Sequence, residues 1–389
     1  MAEYTLKVRR YQPESGEGAF WEEFKVDLDP TLSVLDGILQ AKDREDGSLS
    51  VRCSCKAAIC GSCGMKINGQ SGLGCKTQIG EAQERADKVA SVGNGGGDKD
   101  NAIVVEPMGN MPVIKDLITD MESTHWEKIR RVTPWLLPHG EAPEREYVVE
   151  PESMIDITQS MACIQCGACV SSCLSMEADP DFIGPAALAK AYRFVGDPRD
   201  GETVERLHDL AEDPHGIYDC THCFSCIDAC PKGVAPMDQI MRLRRKADEE
   251  GIEDPNNGHN HVNAFVKMIE KKGTNDEALL VQESYAPGIK GKLVPSKAAI
   301  KGLVESLPTV LRAIKTGKAR SPSKVIPGIH PKLPGGAQDD VKAIYKHAEQ
   351  HREEFNIYIH GEDDVEPEPD EPTEAALTDE AKAATEEKA

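Results

Sequence analysis

A chain of 389 residues is long enough for two or three domains, but an aromatic content of 5% limits the segments that can form packed cores. A net charge of −22 argues against nucleic-acid binding, because a phosphate backbone would be repelled. The longest apolar stretches are too short to cross a bilayer, and the N-terminus lacks the basic and apolar regions of a secretion signal. Thirteen cysteines in such a cytoplasmic chain predict metal or cluster ligation rather than disulfides.

The first 111 residues predict a compact mixed domain. Apolar and polar residues alternate in Tyr4–Tyr11 and Phe20–Leu28, which predicts two strands. A helix is expected after Pro30, since apolar residues recur on one helical face at Leu32, Val34, Leu35, Ile38 and Leu39. The cysteine-rich loop Cys53–Cys75 comes next, and Ala102–Val105 is predicted to be a further strand.

Residues 112–154 are predicted to connect this domain to a second one. In the connecting segment, Pro112–Met121 is expected to form a short helix, and Val132–Pro151 is expected to be irregular because it holds four prolines. From Ile155 to about Gly251 the pattern is helical, with two interruptions by cysteine clusters. Residues 155–251 are therefore predicted to be a helical domain, and the fold class is α+β.

Residues 252–360 are predicted to form a C-terminal extension. Gly251–His261 has the composition of a linker, in which His259 and His261 either hold a metal or lie in a solvated loop, the interpretation we favour. Residues 286–332 hold ten Lys or Arg against one acid, with apolar residues at helical spacing. Such basic amphipathic helices either lie on an anionic membrane surface or acidic partner, or pack on the acidic body of the chain. Residues 361–389, with twelve acids and two lysines, predict a disordered acidic tail.

The first cysteine group has the spacing Cys55-x4-Cys60-x2-Cys63, and Cys75 follows. This spacing is typical of plant-type two-iron, two-sulfur clusters. Small residues such as Gly61 let the backbone close round a cluster. A zinc site fits poorly, because its cysteines usually come as two close pairs. Cys53, two residues before Cys55, is either a spare ligand or a free thiol, the interpretation we favour.

Two further groups follow the bacterial four-iron spacing, in which cysteines are separated by two, two and three residues. In two-cluster ferredoxins the fourth cysteine of each run binds the other cluster. One four-iron site should therefore use Cys163, Cys166, Cys169 and Cys230. The other should use Cys173, Cys220, Cys223 and Cys226. Three clusters in one chain predict electron transfer, and no dinucleotide fingerprint or nucleophile elbow suggests catalysis by the chain itself.

Several motifs around the cysteines resemble the iron–sulfur subunit of succinate dehydrogenase and fumarate reductase. They are Ser54–Cys63, Pro112–Leu117, Phe182–Ala186, Ala191–Phe194, Asp197–Asp200 and Cys230–Gly233. The resemblance covers about residues 4–245. It implies a β-grasp ferredoxin domain and a helical two-cluster domain. It also implies an FAD-containing partner that acts on succinate or fumarate, and a membrane-associated, quinone-linked partner at the cytoplasmic face of the cell membrane.

The sequence departs from that family at the second four-iron site. Most members have another residue where Cys223 stands and carry a three-iron cluster, so Cys223 predicts a four-iron cluster here; without Cys223 as a ligand the cluster would have three irons. Leu174 replaces a proline, Thr221 replaces a quinone-pocket histidine, and Ser175–Pro180 lacks the usual tryptophans. These changes resemble a class of the family whose membrane partner has a cysteine-rich subunit akin to heterodisulfide reductase. The segment Leu303–Lys318 also resembles the electron-transfer subunit of heterodisulfide reductases.

Two other functions are compatible with the same cysteines. The complete four-iron pair and the long extension suit an iron–sulfur subunit of another flavin-linked enzyme, such as one acting on heterodisulfide, glycolate or glycerol phosphate. The strong acidity suits a free ferredoxin-like carrier. His222, between two predicted ligands, either tunes its cluster through a hydrogen bond or faces a partner.

Overall fold

The computed structural model describes residues 2–92, 102–138, 140, 143–252, 257–275 and 337–350, with a few residues between 279 and 315. Its first part contains a five-stranded sheet with the strand order β2-β1-β5-β3-β4. The strands are β1 (Ala2–Arg10), β2 (Phe20–Leu28), β3 (Gly64–Ile67), β4 (Gln70–Leu73) and β5 (Ile103–Glu106). The strands β1 and β2 are antiparallel, whereas β1 and β5 are parallel. The strands predicted from alternation are confirmed.

Two helices accompany this sheet, α1 (Val34–Arg44) and α2 (Ile79–Val92). The helix α1 begins after Ser33, whose hydroxyl accepts the Asp36 N–H while the Asp36 carboxylate accepts the Ser33 N–H. It buries Val34, Leu35 and Ile38 in the core of the sheet domain. The predicted helix therefore exists, but Leu32 precedes it and is exposed.

The predicted helix at Pro112–Met121 is wrong. The chain forms a two-stranded hairpin there, β6 (Val113–Lys115) and β7 (Ile118–Thr119). Asp116 adopts a left-handed φ of 46° in the turn, which no helix allows. Its carboxylate is fully buried and accepts bonds from Arg10 Nε at 2.9 Å, the Ser50 N–H at 2.8 Å and the Tyr11 N–H at 3.1 Å. These tertiary bonds fix the turn and override the local helical pattern.

The second part is helical, as predicted. A π-helical turn, Glu122–Trp126, leads into α3 (Glu127–Arg131). The other helices are α4 (Ile155–Met161), α5 (Ala168–Ser171), α6 (Leu174–Ala178), α7 (Pro185–Val195), α8 (Thr203–Ala211), α9 (Ser225–Asp228) and α10 (Pro236–Glu249). Buried side chains of α7, α8 and α10, including Leu188, Leu207 and Leu243, form its core. Mixed sheet followed by helices confirms the α+β class.

The two parts pack directly against each other. Cys166 and Ala168 of the helical part lie in the core cluster of the sheet domain. The Ser71 and Ser171 hydroxyls are 2.7 Å apart in a buried hydrogen bond. Lys76 Nζ also donates to the Pro231 carbonyl oxygen at 2.7 Å. The three cysteine groups are consequently held in one continuous structure.

The linker predicted at Gly251–His261 is wrong in its second half, because α11 (Asn257–Lys272) begins there. His259 lies beside the Tyr218 hydroxyl at 3.3 Å and the Asn263 amide at 2.7 Å, while His261 lies 3.0 Å from the Ser284 hydroxyl. The two histidines thus contact separate partners, and this supports no metal site. The last described helix is α12 (Ala337–Gln350).

Most of the predicted basic segment, residues 286–332, lies outside the described residues, and so does the predicted acidic tail, 361–389. Val304, Leu307 and Leu311 are described and exposed. Among the described helices, none is both long enough and apolar enough to span a membrane.

Candidate metal centres

The loop before β3 brings the first four predicted ligands together. The Cys55 sulfur accepts main-chain N–H groups from Ala57 at 3.4 Å, Ile59 at 3.4 Å and Cys60 at 3.2 Å. Lys56, Ala58 and Gly61 have left-handed φ angles of 52°, 55° and 74°, which turn these N–H groups inward. Such N–H donors stabilise negative sulfur and tune a bound cluster.

The β3–β4 hairpin explains why Cys75 can join this loop from a distant position. Gly64 pairs with Leu73 in the hairpin register, and the Gly74 N–H donates to the Cys63 carbonyl oxygen at 2.9 Å. Cys63 and Cys75 therefore lie at the same end of the hairpin. The Cys75 sulfur in turn accepts the Ala58 N–H at 3.3 Å. All four sulfurs thus face one small region.

The thiols of this first site have opposite acid–base tendencies. Hydrogen bonds, first among them that from the Ser62 hydroxyl, lower the pKa of Cys60 to about 6. Burial raises the pKa of Cys63 to about 12. The exposed cysteine is therefore ready to ligate as a thiolate at neutral pH, whereas the buried one needs a metal to lose its proton.

The second group of neighbouring sulfurs is Cys163, Cys166, Cys169 and Cys230. Burial raises the pKa of Cys166 to about 11, and the neighbouring Cys163 and Cys230 sulfurs add to this effect. Burial also raises the pKa of Cys169 well above its usual range, and the neighbouring Cys166 and Cys163 sulfurs add to this effect. The four sulfurs line one enclosed space at the start of α5. The distant Cys230 thus lies with the first run rather than with its own.

The third group is Cys173, Cys220, Cys223 and Cys226. Burial raises the pKa of Cys226 to about 12, and Cys220, Cys173 and Cys223 add to the effect. Cys223 is exposed; burial alone would raise its pKa, but hydrogen bonds from Ser225 hold it below the usual value. The structure therefore brings together the crossed sets that the sequence predicts, in which the fourth cysteine of each run joins the first three of the other.

The two four-iron runs have the same cysteine spacing and also the same local backbone pattern. Gln165 and Gly167 have φ angles of 57° and 79°, and His222 and Phe224, at the matching positions, have 55° and 63°. Left-handed residues are unusual without glycine and cluster at functional sites. The pattern reverses the chain twice within a few residues, so that the cysteines of one run point toward a common centre.

Each cysteine group lies next to the following one in space. A Cβ added at Gly61 would lie 2.8 Å from the Cys166 Cβ, so the first loop rests directly on the second group. Cys169 of the second group has Cys226 of the third among its charged neighbours. The three cysteine groups therefore follow one another, as neighbours, from the sheet domain into the helical domain.

Several residues that support these groups carried no clear signal in the sequence. The buried Arg244 guanidinium donates to the carbonyl oxygens of Ile217 at 2.7 Å and Cys220 at 3.0 Å. It also lies 2.6 Å from His222 Nε2. Arginine can only donate, so His222 accepts at Nε2 and carries its proton on Nδ1. The Asn110 amide donates to the carbonyl oxygens of Val170 and Cys173.

The donor sets fit iron–sulfur clusters. Each group offers four sulfurs from different directions, and buried polar atoms without partners lie beside the second group, on His125 and Gln165. Burial lowers the pKa of His125 to about 4, an effect that Gln165 opposes in part. Cys53 is exposed, and its status as a free thiol stays a prediction.

Fold and sulfur geometry together define a class, the iron–sulfur proteins that combine a ferredoxin domain with a two-cluster helical domain. Residues 5–126 match the family of 2Fe-2S iron-sulfur cluster binding domains. Residues 159–234 match the family of 4Fe-4S dicluster domains. Both types of cluster-binding domain are therefore present, as the cysteine spacing predicts.

Similar proteins narrow the class. The chain is 38% identical to the fumarate reductase iron-sulfur subunit of Mycobacterium tuberculosis, over 64% of this chain and 94% of the relative. It is 34% identical to the succinate dehydrogenase iron-sulfur subunit of Coxiella burnetii, over 63% and 97%. The Mycobacterium smegmatis Sdh1 complex in the apo form contains a chain with a TM-score of 0.54 and 25% identity, over 65% of this chain and 98% of that one.

The chain belongs to the family of iron–sulfur subunits of succinate dehydrogenase and fumarate reductase. The family predicted from the motifs is confirmed. These relatives match about two thirds of the chain, and the two family models lie within residues 5–234.

Proposed function

We propose that this chain carries electrons between an FAD-containing partner, which acts on succinate or fumarate, and a membrane-associated, quinone-linked partner. The observation that carries the proposal is the unbroken series of three sulfur groups. Iron–sulfur clusters, when bound, accept and release single electrons without a change in the protein's covalent structure. Electron transfer weakens steeply with distance, so contact between successive groups is what such a subunit requires.

The proposed ligands are those that the cysteine spacing predicts. Cys55, Cys60, Cys63 and Cys75 would hold a two-iron cluster. Cys163, Cys166, Cys169 and Cys230 would hold the first four-iron cluster, and Cys173, Cys220, Cys223 and Cys226 the second. The local hydrogen bonds to sulfur and the shared charged neighbours support each set.

The exposure of the cysteines supports an electron-transfer path that reaches the protein surface at both ends. Cys55 and Cys60 are exposed, and Ile59 between them is 64% exposed. At the other end Cys223 is exposed, and so are two apolar residues, Phe224 at 56% and Leu174 at 53%. The middle group has no cysteine in the exposed class. We assign the first end to the flavoprotein and the second to the membrane-associated partner.

The Cys223 sulfur distinguishes this chain from relatives with a three-iron cluster. We propose a four-iron cluster here, because Cys223 lies among the charged neighbours of both Cys173 and Cys226. Leu174 and Thr221 stand where most of the family has a proline and a histidine; both are exposed, and the Thr221 hydroxyl lies 3.3 Å from that of Ser175, the residue after Leu174. This supports a membrane partner of the class that is related to heterodisulfide reductase.

The sheet order supports assignment of residues 1–111 to the β-grasp ferredoxins. We propose the helical two-cluster domain for residues 155–251, the extension for 252–360 and the acidic tail for 361–389. Assembly at the cytoplasmic face of the cell membrane follows from the proposed partners.

Purification of the chain with its natural partners tests the function. We expect a flavoprotein with FAD to copurify, together with succinate-dependent reduction of a dye. A complex that contains no flavoprotein, or that reduces the dye with glycolate or glycerol phosphate but not with succinate, would contradict the proposal.

A further inference from the structure

His125 borders the space enclosed by the first four-iron ligands. The side chain is 1% exposed and lines that space together with Cys163, Cys166 and Cys230. Among the described residues, neither ring nitrogen has a hydrogen-bond partner. Burial of a polar group without a hydrogen-bond partner costs free energy. Such a group in a folded protein is therefore expected to have a partner that the protein atoms alone do not provide.

The backbone around His125 is also unusual. Residues Glu122–Trp126 form a π-helical turn, in which the Trp126 N–H donates to the Met121 carbonyl oxygen at 2.9 Å. Such turns are rare and frequently occur at functional sites. This turn places His125 inside while Trp126 remains 36% exposed. The local structure is therefore built to bury the imidazole and not the indole.

The remaining wall of the space offers few other acceptors. Ile164, Gly167, Ala186, Ala189 and Val234 present apolar surface, and Lys232 is a donor. Gln165 lies beside the ring, and its main-chain and side-chain groups oppose in part the effect of burial on the His125 pKa, but among the described residues its amide atoms have no partner within hydrogen-bonding distance and angle. Sulfur is the acceptor that the four cysteines, and a cluster held by them, would supply.

We infer that His125 donates a ring N–H to a sulfur atom of the first four-iron cluster and so raises its reduction potential. The inference rests on the ligand set proposed above. Either tautomer of a neutral imidazole has one N–H. An added electron makes the cluster sulfurs more negative, so the hydrogen bond is stronger in the reduced state. His125 acts as a positioning and tuning residue, not as a ligand.

His222 at the second four-iron site makes a useful contrast. Its Nε2 is already engaged by Arg244. The buried imidazole at the first site and the half-buried imidazole at the second therefore have different surroundings, and substitution of His125 should affect one cluster alone.

The test is a redox titration of the intact complex, followed by EPR, with the variants His125→Leu and His125→Gln. In His125→Leu, the ratio of reduced to oxidised first four-iron cluster at a fixed potential should fall about fivefold, the equivalent of one ordinary hydrogen bond. The other two clusters should keep their potentials. His125→Gln retains an N–H and should recover most of the loss, and His208→Leu, at an exposed histidine of α8, is the matched control and should leave the potential unchanged.

An unchanged potential in His125→Leu, or an equal loss in His125→Gln, would overturn the inference. If His125→Leu does not assemble, wild-type complex labelled with ¹⁵N-histidine decides by pulsed EPR. Nitrogen coupling to the reduced first four-iron cluster that His125→Gln lacks supports the inference, and its absence in the wild type overturns it. A chain that lacks the first four-iron cluster altogether would instead contradict the proposed function.

Discussion

The two-iron loop and the four-iron sites hold the same kind of ligand in opposite surroundings. In the loop, three main-chain N–H groups point at the Cys55 sulfur, and two of the four cysteines are exposed. In the helical part, Cys166, Cys173 and Cys226 are buried, and burial raises the pKa of each thiol. Hydrogen bonds lower the pKa of Cys60 in the first region, although burial raises that of Cys63, whereas burial raises the pKa of six of the eight thiols in the second.

The two regions should therefore depend on their metal to different degrees. In the loop, main-chain N–H groups already point at the Cys55 sulfur and hydrogen bonds lower the pKa of Cys60, so part of its geometry exists before a cluster binds. A buried thiolate at the four-iron sites needs iron to offset the loss of water. We therefore expect cluster binding to contribute more to the folding of the helical part than to that of the sheet domain.

The largest effect is expected from Cys230→Ser, which breaks the crossed pairing. Loss of this ligand should remove the first four-iron cluster, although Cys230 belongs to the second run. Iron analysis and EPR of the intact complex measure the loss. Cys53→Ser, at an exposed cysteine outside the three groups, is the matched control and should keep all clusters. Loss of the second four-iron cluster in Cys230→Ser would contradict the crossed sets.

Cys223→Ser should have the next largest effect. Cys223 is the exposed ligand of its group, so its iron is the easiest to release. The variant should show a three-iron EPR signal or lose that cluster, while the two-iron signal remains. A strong three-iron signal in unoxidised wild-type protein would show instead that Cys223 is not a ligand.

Asp116→Ala should destabilise the sheet domain by about 3 kcal/mol or more, because it leaves the buried Arg10 without its fully buried partner. Urea denaturation followed by the two-iron absorbance measures this change. Glu14→Ala removes an exposed carboxylate 3.2 Å from Lys115 and should have little effect, since exposed ion pairs contribute little. Equal effects of the two variants would refute the role of Asp116.

Gly61→Ala tests the contact between the two regions. Gly61 and Gly69 both have left-handed φ angles, of 74° and 80°, but only Gly61 has a close neighbour, the Cys166 Cβ. Gly69→Ala should cost about 1 kcal/mol, and Gly61→Ala about 1–3 kcal/mol more from overpacking. The wider separation should also slow electron transfer from the two-iron to the first four-iron cluster in rapid-freeze EPR. Equal stability of the two variants would argue against the contact.

The smallest effect concerns acid stability of the sheet domain. The Ser48 N–H and hydroxyl, followed by Arg10, lower the pKa of Asp46 to about 2. A lowered carboxyl pKa stabilises the fold above the unfolded value near 4 and loses that contribution as pH falls toward 2. The difference in denaturation midpoint between wild type and Asp46→Asn should therefore shrink between about pH 5 and pH 2. A difference that does not depend on pH would contradict this origin.

The sequence predicted the sulfur groups well because cluster binding restricts both spacing and residue type. Strands β1 and β2 were likewise predicted, since one face of each is buried and the residues alternate. The β3–β4 hairpin was missed, because the glycine-rich cysteine loop shows no alternation that would predict strands. The helix α2, which follows the loop, was missed as well. The helix at Pro112–Met121 was wrongly predicted, because only the distant Arg10 and Ser50 explain the turn at Asp116.

The supporting residues were beyond the reach of the sequence for the same physical reason. His125 lies between the two predicted domains, far along the chain from the cysteines that it borders. Arg244 lies on α10, two turns beyond the helix start, and its buried contacts are not encoded in helical periodicity. Both roles depend on packing between residues that are far apart in the chain, and local sequence patterns do not encode such packing.

The cluster content of the purified, anaerobically prepared complex decides whether these cysteines hold iron–sulfur clusters. We expect iron and acid-labile sulfide in equal amounts, with EPR signals from one two-iron and two four-iron clusters in this chain. Zinc in place of iron, or iron without sulfide, would contradict this expectation.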